Sequence, residues 1–295
     1  MPLRIGITLG DPAGIGPEII RSAFESGKLA NDIDYKVIGQ VGTVAAGSPS
    51  PDSARAAFAA MEEGAGLANS GEIDAIVTGP IHKARMAEIG FEFPGQTEFF
   101  AARSGTTNYA MLLTGGAITI ALVTTHVPLR EVPASLNTSE IVRVGKLLDN
   151  FLRLRGKGVP RVAVAGLNPH AGESGKIGRE EIEIIAPAIA ELNQSLLTSH
   201  QSPSRFTGPV PPDTLFFHLA NEKWDAALCM YHDQGLIPLK LHAFHSGVNV
   251  TLGLPFPRTS PDHGTAFDIA GKGIARPDSM IAAINLAAEL AQKKS

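Results

Sequence analysis

The sequence contains a single cysteine, Cys229, among 295 residues. One thiol excludes an internal disulfide framework and is typical of a protein from a reducing compartment. No uninterrupted apolar stretch reaches the roughly 18 residues that a membrane-spanning helix needs. The N-terminal segment MPLRIGITLGDPAGIG is broken by Gly and Asp, unlike a secretory signal. These absences lead us to expect a cytoplasmic protein that does not enter a membrane.

The chain also lacks an excess of basic residues and several common motifs. The 25 Lys and Arg are outnumbered by 29 Asp and Glu, for a net charge of -4, so we expect no nucleic-acid partner. GDPAGIGPE (10–18) lacks the Lys-Ser/Thr ending of a P-loop and does not fit G-x-G-x-x-G, which leaves a phosphate cradle or a simple strand-to-helix turn. No G-x-S-x-G is present, so a nucleophilic hydrolase is poorly supported.

Strand-like and helix-like segments alternate along the chain, which is typical of an α/β protein with a largely parallel sheet. At this length we expect two lobes with a cleft between them. The Ser- and Pro-rich stretch 198–212 is predicted to be a loop. The predicted helices cover 53–71, 139–155 and 178–196, and the predicted strands are LRIGITL, KVIGQV, DAIVTGP, AMLLTG, ITIALVTTH, RVAVAGLNPH, TLFFHL, DAALCMYHD and VNVTLGLPF.

Three of the nine histidines each follow a predicted strand. His126 follows IALVTT, His170 follows RVAVAGLNP, and His232 follows DAALCMY. The carboxyl ends of strands are where open α/β sheets build ligand sites. Three neutral imidazoles suit a divalent ion such as Zn²⁺ and leave a coordination position for substrate. The alternative is that each histidine caps a strand or helix and bonds to backbone, and the pattern alone leaves both open.

Candidate anion-binding residues lie further along the chain. Lys240 comes eight positions after His232, and Arg258 closes the run NVTLGLPFPR, which begins at Asn249. Together these side chains could hold a phosphate or carboxylate, with Lys as a point charge and Arg as a bidentate fork. The alternative for the two cations is an ordinary solvated surface position.

Longer motifs make the family recognisable. GDPAGIGPE, VTGPIHK, FPGQTEF, TTHVPLR, GLNPHAGE, GPVPPDTLF, MYHDQGLIPLK and GVNVTLGLPFPRTSPDHGTAFDIAGKG occur in the order seen in the 4-hydroxythreonine-4-phosphate dehydrogenases of pyridoxal phosphate biosynthesis. The resemblance runs from residue 3 to about residue 290. It implies an NAD-dependent homodimer with the two-lobed α/β/α architecture of isocitrate and isopropylmalate dehydrogenases. The active site is then expected in the interlobe cleft near the subunit interface, with residues 1–95 and 255–295 in the first lobe and 96–254 in the second.

The resemblance also assigns roles to individual residues. It makes His126, His170 and His232 the ligands of a divalent metal, zinc first, with magnesium or cobalt as alternatives. Apart from the resemblance, our candidates for catalysis are Asp233 and Lys240, Asp233 by orienting His232 or moving a proton, although a loop-capping carboxylate is an alternative. Substrate contacts of the family carry over to Thr97, Lys240, Asn249 and Arg258, and we add Gln96, which precedes Thr97. The NAD contacts are placed in a loop resembling that of the wider dehydrogenase group, at His263, Gly264, Thr265, Asp268 and Gly271.

The chain departs from the family pattern at two places. Many relatives have GHTE where this chain has Gln96, and an amide can donate to a substrate oxygen but cannot titrate near neutral pH. The chain is also shorter than many relatives around 42–51, which would trim the first lobe or its loops. Neither departure touches the three histidines.

The reaction implied by the resemblance is oxidation of 4-phosphohydroxy-L-threonine at C3, with NAD as acceptor. The product, 2-amino-3-oxo-4-phosphobutanoate, loses CO₂ to give 3-amino-2-oxopropyl phosphate. The same residues would also suit a 4-phosphorylated sugar acid such as D-threonate 4-phosphate. A non-catalytic metal- or phosphate-binding protein would need a disabled motif, and the sequence shows none. The expected partner is therefore a small phosphorylated hydroxy acid.

Overall fold

A computed structural model describes residues 2–199 and 205–293 of the chain. Its strands are β1 (Leu3–Thr8), β2 (Ile33–Ile38), β3 (Ala75–Thr78), β4 (Ala110–Gly115), β5 (Ile118–Leu122), β6 (Arg161–Ala165), β7 (Arg205–Val210), β8 (Ala226–Cys229), β9 (Val248–Leu252) and β10 (Arg258–Pro261). Its α-helices are α1 (Gly16–Glu25), α2 (Pro51–Ser70), α3 (Lys83–Glu88), α4 (Gln96–Arg103), α5 (Val132–Ser135), α6 (Thr138–Leu154), α7 (Ala186–Ser199), α8 (Pro212–Ala220), α9 (His232–Ala243) and α10 (Asp278–Gln292).

The chain folds into two units, one formed by Met1–Thr107 with His245–Ser295 and the other by Asn108–Phe244. In the first unit the strand order is β2-β1-β3-β10-β9, with only the β10–β9 pair antiparallel. Strands β1 and β3 are apolar and almost wholly buried, as expected when helices cover both faces of a parallel sheet. Helix α10 packs against β10, β3 and β1 through an apolar face that includes Met280, Ile284 and Leu290.

The second unit has the strand order β4-β5-β8-β6-β7. Strands β5, β8, β6 and β7 run parallel to one another, and β4 pairs with β5 as an antiparallel hairpin. Helices α8 and α9 bury Leu215, Leu219 and Leu239 against the apolar side chains of these strands. Cys229 lies inside this core, and burial raises the pKa of its thiol far above the ordinary value. A thiol in that environment is a packing residue and not a nucleophile.

The unit boundaries differ from the division expected from the sequence, which placed 96–107 and 245–254 in the second lobe. Helix α4 belongs to the first unit because Phe99 packs on Phe91 and Phe93, with ring centroids 5.9 and 5.5 Å away. Strand β9 belongs there because it pairs with β10. Both ties are contacts between particular neighbouring segments, which composition does not reveal.

Two local predictions were wrong. TLFFHL, predicted to be a strand, lies in helix α8, which begins with a proline at its first turn and Asp213 beside it. The predicted loop 198–212 contains strand β7, and its residues 200–204 lie outside the described part of the chain. None of the helices in the described ranges combines the length and apolar character needed to cross a membrane.

Candidate functional site

The three histidines follow three neighbouring strands of the second unit. His126 follows β5, His170 follows β6 and His232 follows β8. Because β5 and β6 both run parallel to β8 between them, the three strands end at the same edge of the sheet. The fold thus carries all three histidine-bearing segments at one sheet edge.

Two buried polar side chains tie these strand ends together. Thr124 donates its Oγ1 hydrogen to the carbonyl of Met230, 2.7 Å away, which joins the end of β5 to that of β8. Gln234 accepts from the Met230 amide and donates to the Gly166 carbonyl, both at 2.7 Å, which joins β8 to β6. A buried amide that satisfies both its oxygen and its nitrogen in this way holds the segments before His170 and His232 in register.

Helix α9 begins at His232 because the residues after it allow a close approach to the sheet. A Cβ at Gly235 would lie 2.4 Å from Ile120 Cδ1 and 3.1 Å from Cys229 Sγ. Only glycine lets the first turn pack directly on β5 and β8 at this point. Lys240 lies on the same helix, and its Nζ is 5.8 Å from the ring centroid of Phe244. It lies eight positions after His232 on the helix, about 12 Å along the axis.

His126 and His232 form a pair that fits a divalent ion. Their ring centroids are 5.7 Å apart. His232 Nδ1 lies 2.6 Å from Asp233 Oδ1, an arrangement that fixes the ring and leaves Nε2 as the nitrogen available to a metal. The donor chemistry therefore suits zinc or a similar borderline cation.

His170 does not complete a three-ligand group with His126 and His232 within the described residues. Its Nδ1 lies 2.7 Å from Glu173 Oε1, so the carboxylate-to-imidazole contact seen at His232 is repeated here. Within residues 2–199 and 205–293, no group of three or more His, Cys, Asp or Glu side chains is close enough to hold a metal ion. The structure therefore brings together two of the three predicted ligands, and a three-histidine site stays a prediction.

The backbone around His170 has an unusual conformation. Every residue from His170 to Gly175 has a positive φ, and His170 itself has φ 51°. Left-handed backbone costs an L-residue with a side chain roughly 1–2 kcal/mol. Strain of this kind persists only where surrounding contacts enforce it, and it concentrates at functional sites.

Arg258 in the first unit is a buried cation with neutral hydrogen-bond partners. It is 2% exposed and donates to Thr251 Oγ1 at 3.2 Å, Thr78 Oγ1 at 2.5 Å and Gln96 Oε1 at 3.3 Å. Its Nε is buried without a hydrogen-bond partner among the described residues. Burial lowers the pKa of Arg258 to about 10, while the charge of Glu98 acts in the opposite direction. A desolvated guanidinium of this kind is suited to an incoming anion.

The other predicted substrate residues of the first unit are Gln96, Thr97 and Asn249. Gln96 donates its Nε2 hydrogen to the Gly79 carbonyl at 3.0 Å while its oxygen accepts from Arg258. Thr97 Oγ1 lies 3.4 Å from Thr251 Oγ1. Asn249 on β9 has a buried Oδ1 that finds no hydrogen-bond partner in the described ranges. The structure thus brings Gln96 and Thr97 close to Arg258, with Asn249 on the strand paired with β10.

The predicted nucleotide loop, 263–273, packs against the GDPAGIGPE segment. Ile15 donates its backbone N–H to the Thr265 carbonyl at 2.9 Å. The buried Glu18 carboxylate accepts from the backbone N–H groups of Gly271 at 3.1 Å and Gly273 at 3.4 Å. Its second oxygen, Oε1, is buried and has no partner among the described residues. His263, Gly264, Thr265, Asp268 and Gly271 lie in this one loop, between β10 and α10.

The sequence did not single out the residues that support these sites. Isolated Thr, Gln and Glu residues have many structural uses, so the sequence gives little indication of their roles. The two partial indications are that Glu18 follows Gly-Pro at a helix start and that Gln234 comes two residues after His232. The supporting residues are Glu18, Thr78, Thr124, Glu173, Gln234 and Thr251.

Comparisons with known proteins agree with this architecture. A sequence model of the pyridoxal phosphate biosynthetic protein PdxA matches residues 18–287. A 4-hydroxythreonine-4-phosphate dehydrogenase of Desulforapulum autotrophicum is 44% identical over 327 positions, covering 96% of this chain and 94% of that protein. With only 295 residues, this chain lacks segments that the relative contains.

Solved structures show the same fold. A 4-hydroxythreonine-4-phosphate dehydrogenase from Klebsiella pneumoniae has a TM-score of 0.81 at 37% identity, covering 99% of this chain and 100% of that chain. A β-decarboxylating dehydrogenase from Thermococcus kodakarensis, 17% identical, shares the fold with a TM-score of 0.56, covering 99% of this chain and 83% of that chain. The expected α/β fold of this dehydrogenase group is confirmed. By sequence and by structure, the chain belongs to the family of the pyridoxal phosphate biosynthetic protein PdxA.

Proposed function

We propose that the protein is an NAD- and divalent-metal-dependent dehydrogenase that oxidises 4-phosphohydroxy-L-threonine at C3 in the cytoplasm. The product then loses CO₂ to give 3-amino-2-oxopropyl phosphate. The family and the names of its relatives support the substrate. The observation that carries the chemistry is the His126–His232 pair, with His232 Nδ1 held by a carboxylate.

We assign metal binding to the three histidines and orientation of the His232 ring to Asp233. His126 and His232, with His170 as the third predicted ligand, would hold the metal. When bound, the ion supplies Lewis-acid stabilisation of charge on oxygen, and NAD supplies the hydride acceptor. Asp233 keeps the His232 ring in place, and it is the carboxylate to which we assign uptake of the hydroxyl proton.

The anionic ends of the substrate are assigned to cations. Arg258, already desolvated and held by neutral groups, exchanges hydrogen bonds for a charged partner at little further cost. Lys240 supplies a second positive charge, and Thr97 and Asn249 supply polar contacts. Fixing the substrate in this way holds the hydride-donating carbon in one orientation.

The cofactor is assigned to the 263–273 loop. The unpartnered buried Glu18 Oε1 and the backbone that Glu18 organises fit a ligand rich in hydroxyl donors, such as the ribose of NAD. Thr265 and Gly271 of the predicted contacts are anchored by Ile15 and Glu18. The residues of this chain therefore suit NAD.

We further propose that the protein works as a homodimer. Helix α9, which begins at His232, carries an exposed apolar stripe formed by Ile237, Leu241 and the following Phe244, which are 67%, 89% and 68% exposed. Their spacing places them on one helix face. An apolar stripe of this kind on a helix surface is typical of an interface between proteins.

The test is formation of NADH at 340 nm by the purified protein, before and after chelation and metal re-addition. 4-Phosphohydroxy-L-threonine is compared with D-threonate 4-phosphate. Turnover of the amino acid that the chelator abolishes and the metal restores is the expected result. Preference for the sugar acid would replace the substrate and keep the chemistry. Absence of turnover with both substrates, in protein that binds metal, would refute the dehydrogenase assignment for them.

A further inference from the structure

The turn from His170 to Gly175 is a run of left-handed backbone that includes four residues with side chains. His170, Ala171, Glu173 and Ser174 have φ values of 51°, 52°, 46° and 56°. L-residues visit this region singly, and a run of them does not form on its own. Something in the surrounding structure must therefore enforce it.

A buried carboxylate provides that enforcement. Glu181 is 2% exposed, and its Oε1 accepts from the backbone N–H groups of both Leu167 and Asn168 at 2.7 Å. Its Oε2 accepts from Asn168 Nδ2 at 3.0 Å, and the same Nδ2 donates to Glu180 Oε2 at 2.7 Å. A charged acceptor with several donors in a buried setting holds the chain before the turn more firmly than neutral bonds would.

The same carboxylate also limits what can occupy the turn itself. A Cβ on Gly172 would lie 2.6 Å from Glu181 Oε2, so the turn passes directly over the carboxylate. The turn closes by backbone bonds on both sides, from Ala171 N–H to the Asn168 carbonyl at 3.1 Å and from Ile177 N–H to the Gly172 carbonyl at 3.2 Å. Glu181 thus lies beneath the turn and anchors the segment that enters it.

The three-residue period of this turn has a direct consequence for His170. Residues i and i+3 of such a turn face the same side, which places Glu173 beside His170 and gives the 2.7 Å contact between Glu173 Oε1 and His170 Nδ1. In an extended segment, where successive side chains alternate between faces, the two would not meet in this way. The Glu173 contact occupies Nδ1 and leaves Nε2 as the ring nitrogen available to a ligand.

We propose that Glu181 is a positioning residue for His170. Through the backbone of Leu167 and Asn168 it holds the left-handed turn, and the turn in turn places Glu173 on Nδ1 and leaves Nε2 for a divalent metal. The inference rests on the proposed function in one respect only, that His170 is a metal ligand. The claim that Glu181 holds the turn stands without it.

The experiment compares Glu181→Gln with Glu183→Gln. Glu183 lies two residues further along the chain, is 57% exposed at its side chain, and pairs with Arg179 on the surface, so its substitution controls for loss of a carboxylate from the same segment. In Glu181→Gln an NH₂ group replaces one of the two acceptor oxygens and meets N–H donors. Hydrogen exchange of 167–175 and the affinity for Zn²⁺ by calorimetry are measured on the whole protein.

For Glu181→Gln we expect faster amide exchange across 167–175 and Zn²⁺ affinity lower by roughly 10- to 100-fold, the range seen when a group that orients a ligand is lost. Glu183→Gln should match the wild type in both. Glu173→Gln should lower Zn²⁺ affinity without faster exchange. If Glu181→Gln fails to fold, Asn168→Ala, which removes one arm of the contact, provides the same comparison.

The outcomes separate this inference from the proposed function. Unchanged exchange and unchanged Zn²⁺ affinity in Glu181→Gln would overturn the inference. Faster exchange with unchanged affinity would overturn the link to His170. A wild type that binds no Zn²⁺ would overturn the metal-dependent function and the link to it, while the exchange data would still decide whether Glu181 holds the turn.

Discussion

At the residue scale, the first unit is organised around one desolvated guanidinium. Arg258 is surrounded by two threonine hydroxyls and one amide, and the ring of Phe100 lies 5.8 Å from its Cζ. Because burial lowers the pKa of Arg258 well below its ordinary value, to about 10, its charge costs the folded state stability at every pH below about 10. That cost declines as pH rises above about 10. A bound anion offsets it.

Replacing Arg258 with Gln should raise KM for the phosphorylated substrate by roughly 10- to 100-fold. A hydrogen bond to a charged group contributes roughly 1.5–3 kcal/mol, and each 1.4 kcal/mol is about a factor of ten. Steady-state kinetics would measure this, with Arg55→Gln as control because Arg55 pairs with Asp52 on the surface. An unchanged KM in Arg258→Gln would remove Arg258 from the substrate site.

The wild type should also lose kcat/KM as pH rises through about 10, where the pKa of Arg258 lies.

Gln96 makes position 96 insensitive to pH. Its oxygen accepts from Arg258 and its nitrogen donates to the Gly79 carbonyl. Because an amide does not titrate, its hydrogen-bonding capacity does not change with pH. In Gln96→His the ring would sit beside a positive charge, so its pKa should fall below the usual value of about 6.5. We expect kcat/KM of this variant to decline as the ring becomes protonated below about pH 6.

The pH profile of kcat/KM between pH 5 and 9 measures this effect. Gln194→His, on the exposed face of α7, provides the matched control and should follow the wild type. An identical acid limb in Gln96→His and the wild type would show that position 96 does not influence Arg258.

At the element scale, the start of α1 and the loop before α10 behave as one structure. Glu18 accepts from Gly271 and Gly273, and Ile15 donates to Thr265. The GDPAGIGPE segment is therefore more than a turn between β1 and α1, because it also organises the predicted nucleotide loop. The segment holds that loop through Glu18 and a backbone N–H, without the lysine of a P-loop.

Glu18→Ala should weaken NAD binding with little change in kcat. The loss of two hydrogen bonds, each contributing roughly 0.5–1.5 kcal/mol, loosens the 263–273 loop, and we expect KM for NAD to rise roughly tenfold. Titration of NAD by intrinsic fluorescence or calorimetry, together with kinetics, would measure it. Glu25→Ala, on the exposed end of the same helix, should leave NAD binding intact. Equal NAD affinity in both variants would argue that the loop is not the cofactor site.

At the scale of the whole molecule, the second unit exposes apolar side chains on and directly after helix α9, the helix that begins at His232. Ile237, Leu241 and Phe244 bury little of their surface within the chain. Each is a large side chain whose burial would contribute roughly 1.5–3 kcal/mol. A second copy of the chain is the partner that we propose for them.

Leu241→Glu should convert the protein from a dimer to a monomer. A carboxylate placed in an apolar interface loses solvation without gaining a partner. Light scattering after size exclusion should give twice the chain mass of 30.9 kDa for the wild type and the single mass for the variant. Leu197→Glu, at an exposed apolar position of α7, should remain dimeric. A monomeric wild type would refute the dimer.

The sequence by itself determined the fold class and the family. Apolar runs alternating with amphipathic stretches predicted most of the strands and several helices, because burial of parallel strands requires such runs. Long motifs identified the relatives, and the placement of three histidines after strands was readable from local pattern. TLFFHL shows the limit, since its apolar residues fit either a strand or a helix and the proline before it decided for α8.

Only the tertiary structure decided which groups act on one another. The bonds from Arg258 to Thr78, from Glu18 to Gly271 and from Thr124 to Met230 join residues 180, 253 and 106 positions apart. Local sequence carries no signal for such contacts, because any Thr or Glu fits its own segment equally well. The left-handed turn at His170 is likewise not predicted by the local pattern, since we attribute it to the buried Glu181 carboxylate, which opposes the preference of the turn's own residues.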